Sequence, residues 1–155
     1  MRYWDWAVEV HGREGVDALL TGLQDTHGQC VSYLLWAAWA AAERRPVEEA
    51  LLRTAADVAH RWEAVATSPL RHARRELKAA FPPIDDGARL GLREQVRGAE
   101  FAAERLLMET LEAVTPAPAD APRDLVGALR RAVAAWPNPA PAGALEDLAA
   151  RLGGG

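Results

Sequence analysis

Two groups of residues in this 155-residue chain combine chemically capable side chains with a telling spacing. Arg71, Arg74, Arg75 and Lys78 recur at i, i+3, i+4 and i+7, which places four cations on one face of a helix. Such a face can bind phosphates, an acidic partner or an anionic membrane surface. It can equally be a solvated face, or pair with an acidic helix nearby, and Glu94, Glu100, Glu104 and Glu109 supply one. The second group is the polar stretch from Leu23 to Gln29, where Gln24, Asp25 and His27 sit between two apolar runs. As chemistry these three form a small recognition or acid–base site. As structure they cap helix ends, with Gln24 and Asp25 bonding backbone groups at the junction. Gln24, Asp25, His27, Arg71, Arg74, Arg75 and Lys78 together make the candidate interaction surface.

Other chemistries find little support. A DNA-reading helix-turn-helix over residues 16–42 fails because no Arg, Lys, Asn or Gln follows Gln29 in the second helix to reach base edges. His11, His27, His60 and His72 are scattered, and only Asp57 and His60 have ligand spacing. A di-iron bundle needs two Glu-x-x-His pairs, and the chain has none. Cys30 begins an apolar helix, where it acts as a small hydrophobe. A helix N-terminus can lower a thiol pKa and His27 is close in sequence, but no third residue orients such a pair. There is no phosphate-binding glycine loop, nucleophile elbow or zinc signature. No catalytic residue, metal ligand or cofactor is therefore assigned.

The elements that must position these residues are helices. From Cys30 to Ala42 only Ser32 and Tyr33 carry a hydroxyl and nothing is charged. A helix apolar on nearly every side belongs inside a bundle. The run falls short of the ~20 apolar residues that span a bilayer, and Glu43, Arg44, Arg45 and Pro46 stop it. Ala and Leu dominate the apolar half and Ile84 is the lone isoleucine, a composition that favours helix over sheet. The expectation is an all-α, compact single-domain bundle of about six to seven helices around a central helix at about 30–42.

Apolar periodicity places the others. Trp4, Ala7, Val8 and His11 mark a short first helix, and Val16, Leu19, Leu20 and Leu23 a second, closed by a left-handed Gly28. Pro46 opens a helix reaching about Thr67. Thr67-Ser68-Pro69 reads as a break with a fresh N-cap, followed by a helix over Leu70–Phe81 that ends at Pro82-Pro83. The longest pattern runs from about Asp86 to Val114, with Leu92, Val96, Ala99, Ala103, Leu107 and Val114 as its stripe. Two Pro/Ala linkers, 116–122 and 137–143, then set off two helices and a glycine tail expected to fray. The division expected is a helical core at 1–115 and C-terminal helices at 116–155 that pack on it less essentially. Trp4, Trp6, Trp36, Trp39 and Trp62 are expected in the core, with either Trp36 or Trp39 free to face a groove or a second subunit.

A net charge of −4 speaks against a general nucleic-acid binder, although a locally basic region at 43–81 lies between two acidic ones. One cysteine permits no intrachain disulfide, which suits a reducing, cytoplasmic home. The N-terminus, with acids among its first ten residues, lacks the apolar region of a signal peptide.

Trp4-x-Trp6, Gly15-Val16, Leu23-Gln24-Asp25, Gly28-x-x-Val31, Leu34-Leu35-Trp36 and Trp39 occur in an order that resembles a family of short proteobacterial proteins built on a domain of unknown function. Trp62, Pro69-Leu70-Arg71, Arg74-Arg75-x-Leu77-Lys78 and Glu100-x-x-x-Glu104-Arg105 are similar to it as well. The likeness covers roughly Trp4 to Leu111. It implies an all-helical cytoplasmic bacterial protein and brings no activity, substrate or site residue. Cys30 departs from the short polar residue, Asn or Asp, expected two places after the family's glycine.

The leading functional expectation is a non-enzymatic protein-interaction module that shows the basic stripe and the 24–29 turn to a protein partner. The alternatives are a nucleic-acid-associated regulator that uses the stripe, and a small-molecule binder with a pocket near residues 24–36, at Asp25, His27 and Trp36. A homodimer formed by C-terminal helices swinging out on their linkers is a further possibility.

Overall fold

The computed structural model describes residues 1–154. Among them the regular structure is entirely helical: α1 (Tyr3–His11), α2 (Val16–His27), α3 (Val31–Ala42), α4 (Glu49–Trp62), a π-helical turn (Glu63–Thr67), α5 (Ser68–Glu76), α6 (Asp86–Ala113), α7 (Leu125–Ala135) and α8 (Ala142–Gly153). Because α4, the π-turn and α5 run on without interruption, the eight α-helices form seven rods, in agreement with the all-α expectation. Gly155, the end of the expected glycine tail, lies outside the described residues.

Every residue of α3 from Ser32 to Ala41 is buried, as an uncharged helix inside a bundle requires. Gly28 admits the tight entry, holding φ 60° in the left-handed region beside the Asn138 side chain. At the far end Arg44 takes a left-handed turn (φ 55°), and the Arg45 N–H bonds the Ala40 carbonyl across it at 2.7 Å. The chain then stays non-helical past Pro46, so α4 begins three residues later than the proline suggests.

Trp36 and Trp39 are both fully buried, so neither faces a groove or a second subunit. Each indole nitrogen has a partner inside the fold, Trp36 donating to Thr115 Oγ1 at 2.7 Å and Trp39 to the Met1 carbonyl at 3.1 Å. That satisfaction is what allows two indoles to lie in one apolar core.

Other faces turn relative to the expected ones. In α1 the buried residues are Tyr3, Trp6, Ala7 and Val10, while Val8 and His11 face outward. Tyr3 joins the core because its hydroxyl donates to the Ser32 carbonyl at 2.5 Å. In α6 the buried set is Arg89, Glu100, Ala103, Leu107, Met108 and Leu111, whereas Leu92 and Val114 are exposed. The N-terminal half of α6 projects with α5 as a hairpin, so its apolar residues have no core to enter.

No pair of elements is in more extensive contact than α3 and α7. Leu125, Leu129, Trp136, Leu145, Leu148 and Leu152 belong to the same buried cluster as α3. Trp136 stacks on Tyr33 with ring centroids 5.5 Å apart and donates to the Gly28 carbonyl at 2.8 Å. The C-terminal helices therefore pack as part of the central layer, more intimately than their proline linkers suggest.

The break expected at Thr67-Ser68-Pro69 is absent. Thr67 and Ser68 both hold helical dihedrals, and the Ser68 N–H donates to the Glu63 carbonyl five residues back. A wider turn immediately before Pro69 relieves the clash its ring makes with the carbonyl four residues earlier, so the helix passes through the proline. The same helix ends early. The Arg89 guanidinium donates to the Leu77 and Lys78 carbonyls at 2.5 and 3.0 Å, and this cationic cap closes α5 at Glu76. Lys78 thus lies in the turn beyond α5, off the stripe it was expected to extend.

Candidate functional site

Three helical segments bring charge to one place. The π-turn carries Glu63, α5 carries Arg71 and Arg74, and α6 carries Glu100 and Glu104. Arg71 Nε donates to Glu100 Oε1 at 3.2 Å, and its Nη2 stands 3.8 Å from Glu63 and 3.6 Å from Glu104. Arg74 bonds the other oxygen of Glu100. Glu100 is 7% exposed and the Arg71 side chain 12%, so this is a nearly buried cluster and not a surface stripe. Of the acidic partners expected on α6, Glu100 and Glu104 serve this role. Glu94 pairs instead with Arg93 and Arg97, and Glu109 with Arg105.

The cluster holds three carboxylates against two guanidiniums. Burial pushes the carboxyl of Glu63 above its usual range, opposed by the Arg71 charge and by a hydrogen bond from the Cys30 thiol. Glu104 is raised too, by burial and by its acidic neighbours, again opposed by Arg71. Glu100 hydrogen bonds to Arg74, which holds that guanidinium more firmly charged than usual.

Above the cluster lies a groove of about 550 Å³. Trp4, Leu20, Leu35, Phe101 and Met108 form its apolar walls and Gln24, Ser32, Arg71, Arg74, Glu100 and Glu104 its polar floor, with His11, Asp17 and Arg97 also in the lining. Trp4 meets Phe101 edge-on at 5.1 Å and carries Arg105 on its face, 5.0 Å from the ring centroid. Next to it is a separate recess of about 10 Å³ lined by Cys30, Glu63, Thr67 and Leu107, and Gln24, Val31, Ser32, Arg71 and Glu104 line both.

The candidate residues distribute unevenly around this groove. Gln24, Arg71 and Arg74 line it. Asp25 and Arg75 meet at its edge in a 2.7 Å ion pair that ties the turn to the stripe. The Arg75 hydrogen bond holds the Asp25 carboxyl below its usual range. Both side chains are well exposed, so the pair stabilises by no more than ~1 kcal/mol. His27 is elsewhere: its carbonyl accepts from Gln29, whose amide also donates to the Asn138 carbonyl at 2.7 Å. Asp57 pairs with Arg61, and His60 packs edge-on against Trp136. Among the described residues no three His, Cys, Asp or Glu side chains are grouped to hold a metal ion. No helix among them is long and apolar enough to cross a membrane.

Glu63 and Thr67 are polar site residues that sequence reasoning missed, as it missed the apolar walls at Trp4, Leu20, Leu35, Phe101 and Met108. The two polar residues stand eight and four residues before Arg71, a helical spacing that shows their shared face once the helix is known to pass through Pro69.

Cys30 is fully buried and its thiol is pushed up, first by desolvation and then by Glu63. Native protein at pH 8 is expected to leave an aromatic disulfide reagent unreacted until denaturant is added. A full thiol equivalent released within minutes without denaturant would show an accessible, activated cysteine.

No curated protein and no solved structure matches the chain. A family model does, over residues 2–111, the span that holds α1 to α5, all but the last two residues of α6, the ion cluster and the groove. By that match over more than half its length, the chain belongs to the family described as Protein of unknown function (DUF2390).

Proposed function

We propose that this chain is a non-catalytic binding protein that holds a small, mainly apolar molecule in the groove between α1, α2, α3, α5 and α6. One observation carries the reading: a concavity of about 550 Å³ in which an aromatic and aliphatic wall, Trp4, Leu20, Leu35, Phe101 and Met108, faces a polar side that holds the paired Arg71, Arg74, Glu100 and Glu104. That size is typical of small-molecule sites. Of the expected interaction residues the groove uses Gln24, Arg71 and Arg74, and of the pocket residues expected at Asp25, His27 and Trp36 it uses none. The free thiol of Cys30 suits the reducing, cytoplasmic setting that goes with this reading. Amide and methyl spectra recorded against neutral apolar fragments test it. Saturable shifts confined to Leu20, Leu35, Phe101 and Met108 are expected. A fragment set that leaves these resonances unmoved, or moves them only at scattered surface positions, removes the reading.

A second reading, the protein-interaction module, is favoured by the end of the α5–α6 hairpin. Phe81 is 69% exposed there, and Ile84, Leu90 and Leu92 are exposed beside it. Apolar residues gathered at a projecting end suit a protein partner, a second copy of the chain being the simplest. Concentration-dependent sedimentation that a Phe81→Ser, Leu92→Ser variant abolishes supports it, and a monomer at every concentration argues against the homodimer. The nucleic-acid alternative is weaker, because Arg71 and Arg74 are paired inside the fold and few phosphate-binding cations remain on α5.

A further inference from the structure

The hydroxyl of Thr67 stands apart from the chain's other well-placed threonines. In helices a threonine hydroxyl commonly bonds the carbonyl four residues back, and Thr54, Thr110 and Thr115 do so at 3.0, 2.7 and 2.6 Å. Thr67, at the end of the π-turn, is 2% exposed and its Oγ1 has no partner among the described residues. A buried polar atom left so costs about as much as a lost hydrogen bond. It lines the recess beside the groove, with Glu63 and Glu104. Both carboxylates stand beyond hydrogen-bond distance from Arg71, at 3.8 and 3.6 Å, whereas Glu100 is bonded to both guanidiniums.

We propose that the groove binds a primary amine, its ammonium head seated in the recess among Glu63, Thr67 and Glu104 and its apolar body lying along Leu35, Phe101 and Met108. The inference rests on the groove being a ligand site and adds the class of ligand. A primary ammonium has three donors and no acceptor, which matches two carboxylates and one hydroxyl oxygen. At about 10 Å³ the recess is at the lower limit for one water-sized group, so it suits a compact –NH₃⁺ better than a guanidinium or quaternary ammonium head. Charge points the same way. Three carboxylates face two guanidiniums, so one positive charge balances the cluster and an added anion unbalances it.

Hexylamine, hexan-1-ol and hexanoate share one body and differ in the head. Titrated into the full chain at neutral pH, hexylamine is expected to bind at least tenfold more tightly than hexanol, and hexanoate more weakly than either. Thr67→Val, which has the same shape and removes the unpaired hydroxyl, and Glu104→Gln are each expected to bring hexylamine to within about twofold of hexanol. The ratio of the two affinities is the readout, because the hydroxyl of hexanol meets the same residues and its affinity is expected to fall less than that of hexylamine. Equal affinity of amine and alcohol for wild type, or an amine preference that survives both substitutions, overturns the amine assignment and leaves the groove standing. Failure of all three to bind overturns both.

Discussion

A chain ended after Thr115 is expected to lose cooperative unfolding, although it contains the whole of the family-matched region. The reason lies on α3. One of its faces is covered by α7, through Leu129, Ala132 and the Trp136 ring stacked on Tyr33, and α8 closes over α2 and α7. Leu125, Leu129, Trp136, Leu145, Leu148 and Leu152 are all buried. At about 1.5–3 kcal/mol for each side chain fully buried, six of them represent a gross contribution on the order of 10 kcal/mol. That is comparable with the entire stability of a typical domain, about 5–15 kcal/mol. Polar ties across the join would go as well. The Trp136 indole donates to the Gly28 carbonyl, Gln29 to the Asn138 carbonyl, and Arg13 to the Leu152 carbonyl. Urea unfolding followed by near-ultraviolet dichroism, with dye binding alongside, measures the effect. The full chain should give one sharp transition. The 1–115 fragment should keep helical far-ultraviolet signal, lose the near-ultraviolet signal of its tryptophans and bind dye. A fragment that unfolds as sharply as the full chain, with a midpoint within a few degrees on heating, would show that α1–α6 fold alone and that α7 and α8 merely dress the surface.

The linkers explain why this dependence is hard to read from residues. PAPADAP and PNPAPAG have the composition of spacers, and spacers suggest separable parts. Here they are short straps that lead α7 and α8 back onto the core, one of them bonded to the turn just after α3, where the Ala119 N–H donates to the Arg44 carbonyl at 2.9 Å. By contrast, the central helix was legible, because an uncharged run with abrupt charged ends has few places to lie in water. Gly28 was legible for a local reason, the left-handed residue that a tight helix exit needs.

What stayed hidden in the site depends on two local events with no strong signature. A π-turn carries the helix through Pro69, so Glu63 and Thr67 share a face with Arg71 across an expected break. An arginine twelve positions beyond Leu77, namely Arg89 on α6, caps α5 and leaves Lys78 in the turn beyond it. The pairing of Arg71 and Arg74 with the acidic helix was one of two open readings of the spacing, and only the packing of α5 against α6 chooses between a solvated stripe and an inward cluster. The apolar walls at Trp4 and Phe101 come from α1 and α6, far apart in sequence, and periodicity within one helix says nothing of such a meeting.

Arg71→Met is expected to destabilise the protein strongly, and in a pH-dependent way that separates charge from packing. Methionine keeps an unbranched apolar stem, so much of the contact made by the arginine methylenes survives. What goes is the one cation among the described residues within 4 Å of all three carboxylates, leaving Glu100 with Arg74 and leaving Glu63 and Glu104 with no arginine partner in the cluster. Removing one member of a nearly buried ion cluster costs about 3–5 kcal/mol, because the remaining charges stay desolvated. The sign with pH follows from the carboxyls. Glu63 and Glu104 are already raised in the folded state, with Arg71 opposing the rise, so its loss lifts both further. A carboxyl raised on folding is harmless below its unfolded value, where both states are protonated. It destabilises increasingly as pH climbs through the raised folded value. The loss should therefore be small near the ordinary carboxylate range and grow towards neutral and mildly alkaline pH. Chemical denaturation at pH 5 and pH 8 measures it. Adding Glu63→Gln and Glu104→Gln to the Arg71→Met chain should restore much of the stability at pH 8 and little at pH 5, since neutral amides need no guanidinium. A loss of equal size at both pH values, untouched by the two glutamines, would mean that Arg71 matters through its packed stem, and that the three carboxylates around it do not form an electrostatic unit.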